Sequence, residues 1–495
     1  MKSIGILTLL ICLSGAAFSA DRPNIILMMG DDHGWEETGY NGHPYVKTPV
    51  LDEMAASGLN LENFYASHAS CSPTRAAFMT GRHPNRMGTF SPGWSLRPEE
   101  VTFAHLLQNA GYRTAHFGKW HIGAVKASSP VNPGAMGFDE WLSHDNFFEM
   151  NPTFSRNGDA PKIYPGESSE ILIRETIDFI NSAQQSDEPF LAVIWFGSPH
   201  EPYSGLPEDL ALYDNLPEHY AAVEVKLTSN QTGNRTTRPQ RDVLRERFAE
   251  ITAMDRSIGD LREHLAKVGL RDNTLVFYCG DNGTSGESSI YHPRREAKGS
   301  IYDGGTAVPG VIEWPARIPH PRRSAVRAST SDLLPTLAAL VDAPLPDHPI
   351  DGIDLTPLLD GQMQERTNPL YFWQYADRGQ DDASREPYID PELQKGTTPL
   401  VKYMRGLRTR NFLNYRFETI VDADYRGRRS IIDGDWKLII HEDEDAPEVE
   451  LFNLDHDPAE TVDLSDKYAA RVRHLRSKLK NWQHSVLNSL TGADY

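Results

Sequence analysis

Between residues 71 and 82 the chain reads Cys-Ser-Pro-Thr-Arg-Ala-Ala-Phe-Met-Thr-Gly-Arg. Pro73 suits the first turn of a helix, where no N–H is needed. Ala76, Ala77, Phe78 and Met79 continue the helix and Gly81 stops it. The spacing therefore places Cys71 at a helix N-terminus, where free N–H groups and the dipole favour an anion. Arg75 follows four residues later on the same face and adds a permanent positive charge. A sulfur nucleophile beside an anion cradle is the chemistry such a turn can do. A buried thiol at a helix start is the plainer alternative and, for an isolated cysteine, the commoner one.

Four apolar runs supply partners. Residues 24–29 end in Gly30-Asp31-Asp32-His33-Gly34, and residues 112–117 in Gly118-Lys119-Trp120-His121. Residues 190–196 end in Gly197-Ser198-Pro199-His200, and residues 274–279 in Gly280-Asp281-Asn282-Gly283. Continuous apolar runs of this length read as strands covered on both faces. Taken singly, each end has an ordinary explanation, a solvated acidic turn or a capping histidine. In a mostly parallel sheet, however, the carboxyl ends share one edge, and ligands gather there. Asp31, Asp32, Asp281 and Asn282 then make a cage of hard oxygens that suits Ca²⁺ or Mg²⁺ over Zn²⁺. Arg75, Lys119, His121 and His200, with Lys298 from the segment 291–305, suit an anionic group and the charge that develops in its transfer. Alternation along an extended segment predicts that Lys119 and His121 point the same way.

The elements that must position these groups follow from periodicity. Helices are expected at 48–58, 99–111, 170–182, 241–268 and 331–341, with a further strand at 308–314. Residues 206–240 have no clear period and read as a long surface loop. Beyond residue 370 the strands become short and loop-separated, at 370–375, 430–432, 436–441 and 449–453, and a basic helix at 469–487 follows. That texture predicts a smaller antiparallel sheet closed by one helix.

At 495 residues the chain exceeds one ordinary core. Three segments are expected: a secretory signal at 1–20, a catalytic α/β domain at 21–365 and a smaller α+β subdomain at 366–495. Lys2, the apolar stretch 4–13 and the small residues 16–20 make the signal, and no later run approaches a membrane span. The mature protein is therefore expected to be exported and soluble. A net charge of −20 argues against nucleic acid as a partner, yet leaves room for an anionic substrate at a local cluster of bases. Removal of the signal takes Cys12 and leaves Cys71 and Cys279, too few for a disulfide scaffold. Asn230 and Asn234 each begin a glycosylation sequon.

The Cys71 motif, with Thr80-Gly81-Arg82, resembles the signature of the type I, formylglycine-dependent sulfatases. The resemblance extends over nearly the whole mature chain: Pro-Asn-Ile-Ile-Leu at 23–27, Gly-Lys-Trp-His at 118–121, Pro-His at 199–200, Asp-Asn-Gly at 281–283, Lys298 before Gly304-Gly305, and Gly-Asp-Trp-Lys-Leu at 434–438. Thr74 stands where Ser is frequent and Asp303 where Glu is frequent. The segment Gly137-Phe138-Asp139-Glu140-Trp141 is similar to the N-acetylgalactosamine-6-sulfatase and arylsulfatase branch.

The resemblance implies an alkaline-phosphatase-like fold and hydrolysis of a sulfuric ester. It implies that a maturation enzyme oxidises Cys71 to formylglycine, and that Asp31, Asp32, Asp281, Asn282 and the converted Cys71 hold one Ca²⁺, or Mg²⁺ in its place. Arg75 and Lys119 would hold the aldehyde hydrate and sulfate oxygens, His200 or Lys298 would protonate the leaving oxygen, and His121 would take a proton as sulfate is released. A sulfated glycan is the implied substrate, with His144, Asp145, Asn146, His292, Arg294 and Arg295 as candidate sugar contacts. Two other readings remain open at this point: a phosphonate or phosphate ester hydrolase of the same superfamily, and a non-catalytic glycan-binding protein whose Cys71 stays a thiol.

Overall fold

The computed structural model describes residues 22–229, 232–376, 385–404, 407–441 and 448–495. The expected signal at 1–20 and the sequon at Asn230 lie outside them, whereas Asn234 is exposed at a hairpin turn. The strands that position the site are β1 (Asn24–Gly30), β2 (Arg113–Lys119), β3 (Glu140–His144), β4 (Phe190–Trp195), β5 (Thr274–Gly280) and β6 (Gly310–Glu313). They form the middle of a ten-stranded sheet in the order β6-β5-β1-β4-β2-β3, parallel from β5 to β3 and antiparallel at β6.

Register brings the strand ends level. Gly30 lies opposite Gly280, Met29 and Gly118 each lie opposite Trp195, and Lys119 lies opposite His144. The polar turns after four hydrophobic strands therefore open on one edge, as the pattern predicts. Alternate residues of each strand face opposite layers. Ile25, Leu27, Val193 and Phe277 pack towards helix α1 (Cys71–Thr80). Ile26, Met28, Ile194 and Tyr278 pack towards helices α2 (Ser168–Gln185) and α3 (Gln240–Lys267). The result is a three-layer α/β architecture with a core on each side of the sheet.

The chain after residue 370 builds a separate antiparallel sheet from β7 (Leu370–Trp373), β8 (Arg429–Asp433), β9 (Trp436–Ile440) and β10 (Val449–Asn453). Helix α4 (Ala469–Leu490) covers it with Leu475, Leu479 and Val486. A buried ion cluster joins this sheet to the first: Lys437 on β9 reaches Asp303 at 2.7 Å and Glu460 at 2.8 Å, and Asp303 also takes Arg294 at 2.9 Å.

Three expectations are corrected. The stretch read as a loop at 206–240 contains a hairpin, Glu224–Thr228 with Arg235–Pro239. Only Val225 and Leu227 are buried along it, too few to reveal a period. The strand expected at 308–314 is two, Ala307–Val308 and β6, which belong to different sheets. Pro309 separates them and has no N–H to offer a continuous ladder. The helix expected at 99–111 runs only over Phe103–Asn109, because Thr102 and His105 close a reciprocal cap at its start.

Gly118 carries a particular constraint. Its φ is +102°, and a Cβ there would lie 2.0 Å from the Trp195 carbonyl oxygen, a backbone atom that cannot turn away. Gly118→Ala is expected to cost about 2 kcal/mol or more, read as a lowered denaturation midpoint in urea.

Candidate active site

The site grows from the β1 turn. The Asp31 N–H donates to the Ser198 carbonyl at 3.0 Å, and the Asp281 N–H donates to the Gly30 carbonyl at 3.1 Å. The sheet ladder is thereby carried past the strands into the loops that bear the polar groups. Asp32 has a left-handed φ of 64°, and its own N–H donates to Asp281 Oδ1 at 2.9 Å. Helix α1 begins at Cys71 as expected, has no side-chain cap at its first turn, and is buried along all ten residues.

Three cations meet three carboxylates. Lys119 Nζ lies 2.6 Å from Asp31 Oδ2, and Arg75 reaches Asp281 Oδ2 through Nη2 at 2.7 Å and Nε at 3.1 Å. Lys298 Nζ sits 2.6 and 2.7 Å from the two oxygens of Asp32. Arg75 also lies over the Trp195 ring, 4.9 Å from its centroid, which supports the guanidinium from below. Asp31, Arg75, Lys119 and Asp281 are fully buried.

Cys71 Sγ points into this group, 3.5 Å from Asp31 Oδ1 and 3.8 Å from Asp32 Oδ1. Burial, with Asp281 nearby, pushes its thiol up. Asp31 rises to about 7 through burial, against the pull of Lys119. Asp32 is buried as deeply, yet Lys298 and His200 hold it well below the usual carboxylate range.

Asp31, Asp32, Cys71 and His200 place one ligand atom each within 4.8 Å of one another. The donor set fits a hard divalent ion on a further observation: among the described residues Asn282 Oδ1 is buried with no hydrogen-bond partner, while its Nδ2 donates to Asp32 Oδ1 at 2.9 Å. Asp281 spends Oδ2 on Arg75 and Oδ1 on the Asp32 backbone.

His121 departs from the strand alternation expected of it. β2 ends at Lys119 and His121 has a φ of 59°, so strand alternation does not place its side chain. Ser72 Oγ instead donates to the His121 carbonyl at 2.6 Å, tying it to the residue after Cys71. Among the described residues both ring nitrogens of His121 are buried without a partner, and burial, with Lys119 nearby, holds the ring well below the usual imidazole range. His200 pairs Nδ1 with the Glu201 carbonyl at 2.6 Å, stacks on Phe147, and turns Nε2 towards Asp32 Oδ2 at 3.6 Å.

Of the candidate sugar contacts, several are occupied within the chain. Asp145 is buried and accepts the N–H groups of Thr397 at 2.7 Å and Thr398 at 2.8 Å. Arg294 joins the Asp303 cluster, and Arg295 pairs with Glu450 at 3.1 Å. His144 is buried between Asn146 and the Pro399 carbonyl. Asn146 is buried as well, and His292 stays at the surface beside Ser289.

Sequence reasoning missed two supports of Asp32. Ser285 Oγ donates to Asp32 Oδ2 at 2.8 Å, and Arg247 Nη2 donates to the Asp32 carbonyl at 2.6 Å while gripping Glu37. Arg247 sits in a charge-dense helix where nothing marks it from its solvated neighbours.

With this geometry in view, comparison with known proteins gives the class. The family model described as Sulfatase matches residues 23–343. The chain belongs to the sulfatase family and is a sulfuric ester hydrolase. It is 33% identical over 406 residues to arylsulfatase A of Homo sapiens, covering 74% of this chain and 73% of that one. To N-acetylgalactosamine-6-sulfatase of Canis lupus familiaris it is 31% identical over 398 residues, 72% and 70% of the two chains. Among solved structures, BT4656 in complex with D-glucosamine-2-N,6-O-disulfate superposes with a TM-score of 0.71 at 21% identity, over 94% of this chain and 98% of that one. The alkaline-phosphatase-like fold is thereby established.

Arg75→Met would leave the Asp281 carboxylate buried without its cation. A loss of about 3 kcal/mol or more is expected, measured by chemical denaturation, together with loss of turnover.

Proposed function

We propose that this enzyme removes sulfate from a sulfated carbohydrate, using a formylglycine made from Cys71 and one divalent ion, Ca²⁺ in preference to Mg²⁺. The observation that carries the reading is the position of Cys71, on the uncapped first turn of a buried helix and within 4 Å of two carboxylates. Asp31, Asp32, Asp281 and Asn282 would hold the ion, and converted Cys71 would complete its shell. When bound, the ion supplies Lewis-acid polarisation of the ester, and the aldehyde hydrate supplies the attacking hydroxyl and, through its second hydroxyl, a route for sulfate to leave.

The chain's own groups do the rest. Asp31, Asp32 and Asp281 are matched one for one by Lys119, Lys298 and Arg75. A divalent ion therefore makes the site net positive, which suits an anionic ester. Arg75 and Lys119, held by carboxylates behind them, fix the sulfate oxygens. His121, neutral and with both ring nitrogens unpartnered, takes the proton when sulfate is expelled. The leaving oxygen takes its proton from His200 or Lys298, which both face Asp32. The N-acetylgalactosamine-6-sulfatase relative and the sugar in the BT4656 complex support an aminosugar or related glycan as substrate. The remaining readings concern the whole protein: an exported enzyme, matured by a formylglycine-generating enzyme, with a catalytic domain to residue 365 and a smaller C-terminal subdomain. Among the described residues no helix is long and apolar enough to cross a membrane.

Peptide mass spectrometry across Cys71, on protein from a host with the maturation enzyme, is expected to find formylglycine. Cys71→Ser should lower turnover of an aryl sulfate by at least about 10³-fold with an unchanged melting temperature, and normal turnover would overturn the mechanism. Chelation should remove activity and lower the melting temperature, since an ion bound to the native state alone stabilises it. His200→Asn and Lys298→Arg, the latter keeping a cation on Asp32, separate the two proton donors. The variant of the true donor should lose rate on an alkyl sulfate and keep it on an aryl sulfate, whose leaving oxygen needs no proton.

A further inference from the structure

Helix α4 is out of character with the chain that carries it. Between Asp466 and Asp494 there is no acidic residue, whereas Lys467, Arg471, Arg473, Arg476, Lys478 and Lys480 put six cations into a chain of net charge −20. Some of these bases have structural duties: Arg471 lies 4.4 Å from the Trp436 ring centroid, and Lys478 pairs with Asp433 at 2.6 Å. Arg473, Arg476 and Lys480 do not. They are exposed, and among the described residues no carboxylate pairs with them. Their spacing of three and four residues sets them in one stripe along the helix, flanking the Leu475 and Leu479 side chains that bury into the core under the second sheet.

The stripe runs into a cleft. Arg476 and Lys480 line an opening of about 540 Å³ with Asp422, Tyr425, Arg429 and Gln483, beside the paired ends of β8 and β9. Gln483 Nε2 donates to the Tyr425 carbonyl at 3.2 Å, and the Tyr425 hydroxyl meets His484 Nδ1 at 2.9 Å, so the aromatic ring is fixed in place. A rigid aromatic face, an exposed carboxylate and guanidinium groups are what a sugar ring bearing hydroxyls and anionic substituents requires. A uniform polyanion such as nucleic acid would gain nothing from Asp422. Every residue of the cleft lies beyond position 421, and none belongs to the catalytic edge.

We infer that the α4 stripe and its cleft form a second binding surface for sulfated polysaccharide, remote from the catalytic site, which holds the polymer while single sulfates are removed. The ligand class rests on the sulfated-carbohydrate reading above. The surface would lower the KM for polymer and leave small substrates untouched.

The test uses native affinity gels containing chondroitin sulfate, heparin or ι-carrageenan, with dextran and double-stranded DNA as controls. The protein carries Cys71→Ser so that the polymer is not consumed. Adding Arg473→Ser, Arg476→Ser and Lys480→Ser together should weaken retardation by the sulfated polymer about tenfold or more, while lysines at 473 and 476 should retain it. In otherwise wild-type enzyme the triple serine variant should keep its melting temperature and its turnover of 4-methylumbelliferyl sulfate. Undiminished glycan binding by the triple variant would overturn the inference. So would a parent protein retarded by none of the three sulfated polymers, or one retarded as strongly by DNA. Binding of these polymers by the Cys71→Ser parent, with no turnover of aryl sulfate by the wild-type enzyme, would instead count against the proposed reaction and leave this surface standing.

Discussion

The structure depends on keeping five charges in a space that excludes water, with a sixth, that of Lys298, at its rim. Asp31, Asp281, Arg75 and Lys119 are fully buried and Asp32 nearly so, and carboxylates so placed are tolerable only with cations in hydrogen-bond contact. Each carboxylate has its own cation, brought from a different part of the chain: Lys119 from β2, Arg75 from α1, Lys298 from the loop after β5. The fold's main task is to deliver these six side chains together, because any one missing leaves an uncompensated charge in the interior. Arg247 and Ser285 add a further layer by fixing the Asp32 backbone and side chain.

Delivery is a matter of register. Glycines or large apolar residues stand opposite one another at the last rung of β1, β4, β2 and β5, so the loops beyond begin level and converge. The close approach of Gly118 to the Trp195 carbonyl, and the Trp195 ring beneath Arg75, show how little slack the arrangement has. The second sheet contributes to this edge indirectly. Through Lys437, Asp303 and Glu460 it braces the segment that carries Lys298. Asp145, on the first sheet's side, anchors a separate hairpin, Lys395–Met404 with Leu407–Asn411, by accepting the N–H groups of Thr397 and Thr398.

Much of this could be read from the chain itself, for identifiable reasons. Apolar runs ending in ionisable residues are a strong signal because each half is improbable without the other. Pro73 and Gly81 bracket helix α1 because backbone chemistry leaves them few other places. What stayed hidden depends on tertiary geometry. The positive φ of His121 takes its side chain out of the reach of strand alternation. Asp145, Arg294 and Arg295 look like ligand contacts in sequence because buried structural ion pairs and binding sites use the same residue types. Val225 and Leu227 are too few to announce a hairpin, and Arg247 differs from its neighbours on α3 only in what lies opposite it.

The burial of Cys71 also has a meaning in time. The residue is 1% exposed, and the helix behind it is covered along its whole length, so no second protein can reach its sulfur once the two cores have closed. On the proposed reading, the converting enzyme would have to meet Cys71 on the unfolded chain, in an extended form that the sequence around Pro73 can present. Chemical competence would then be settled before folding, and a molecule that folds first would be locked out of it for as long as it stays folded.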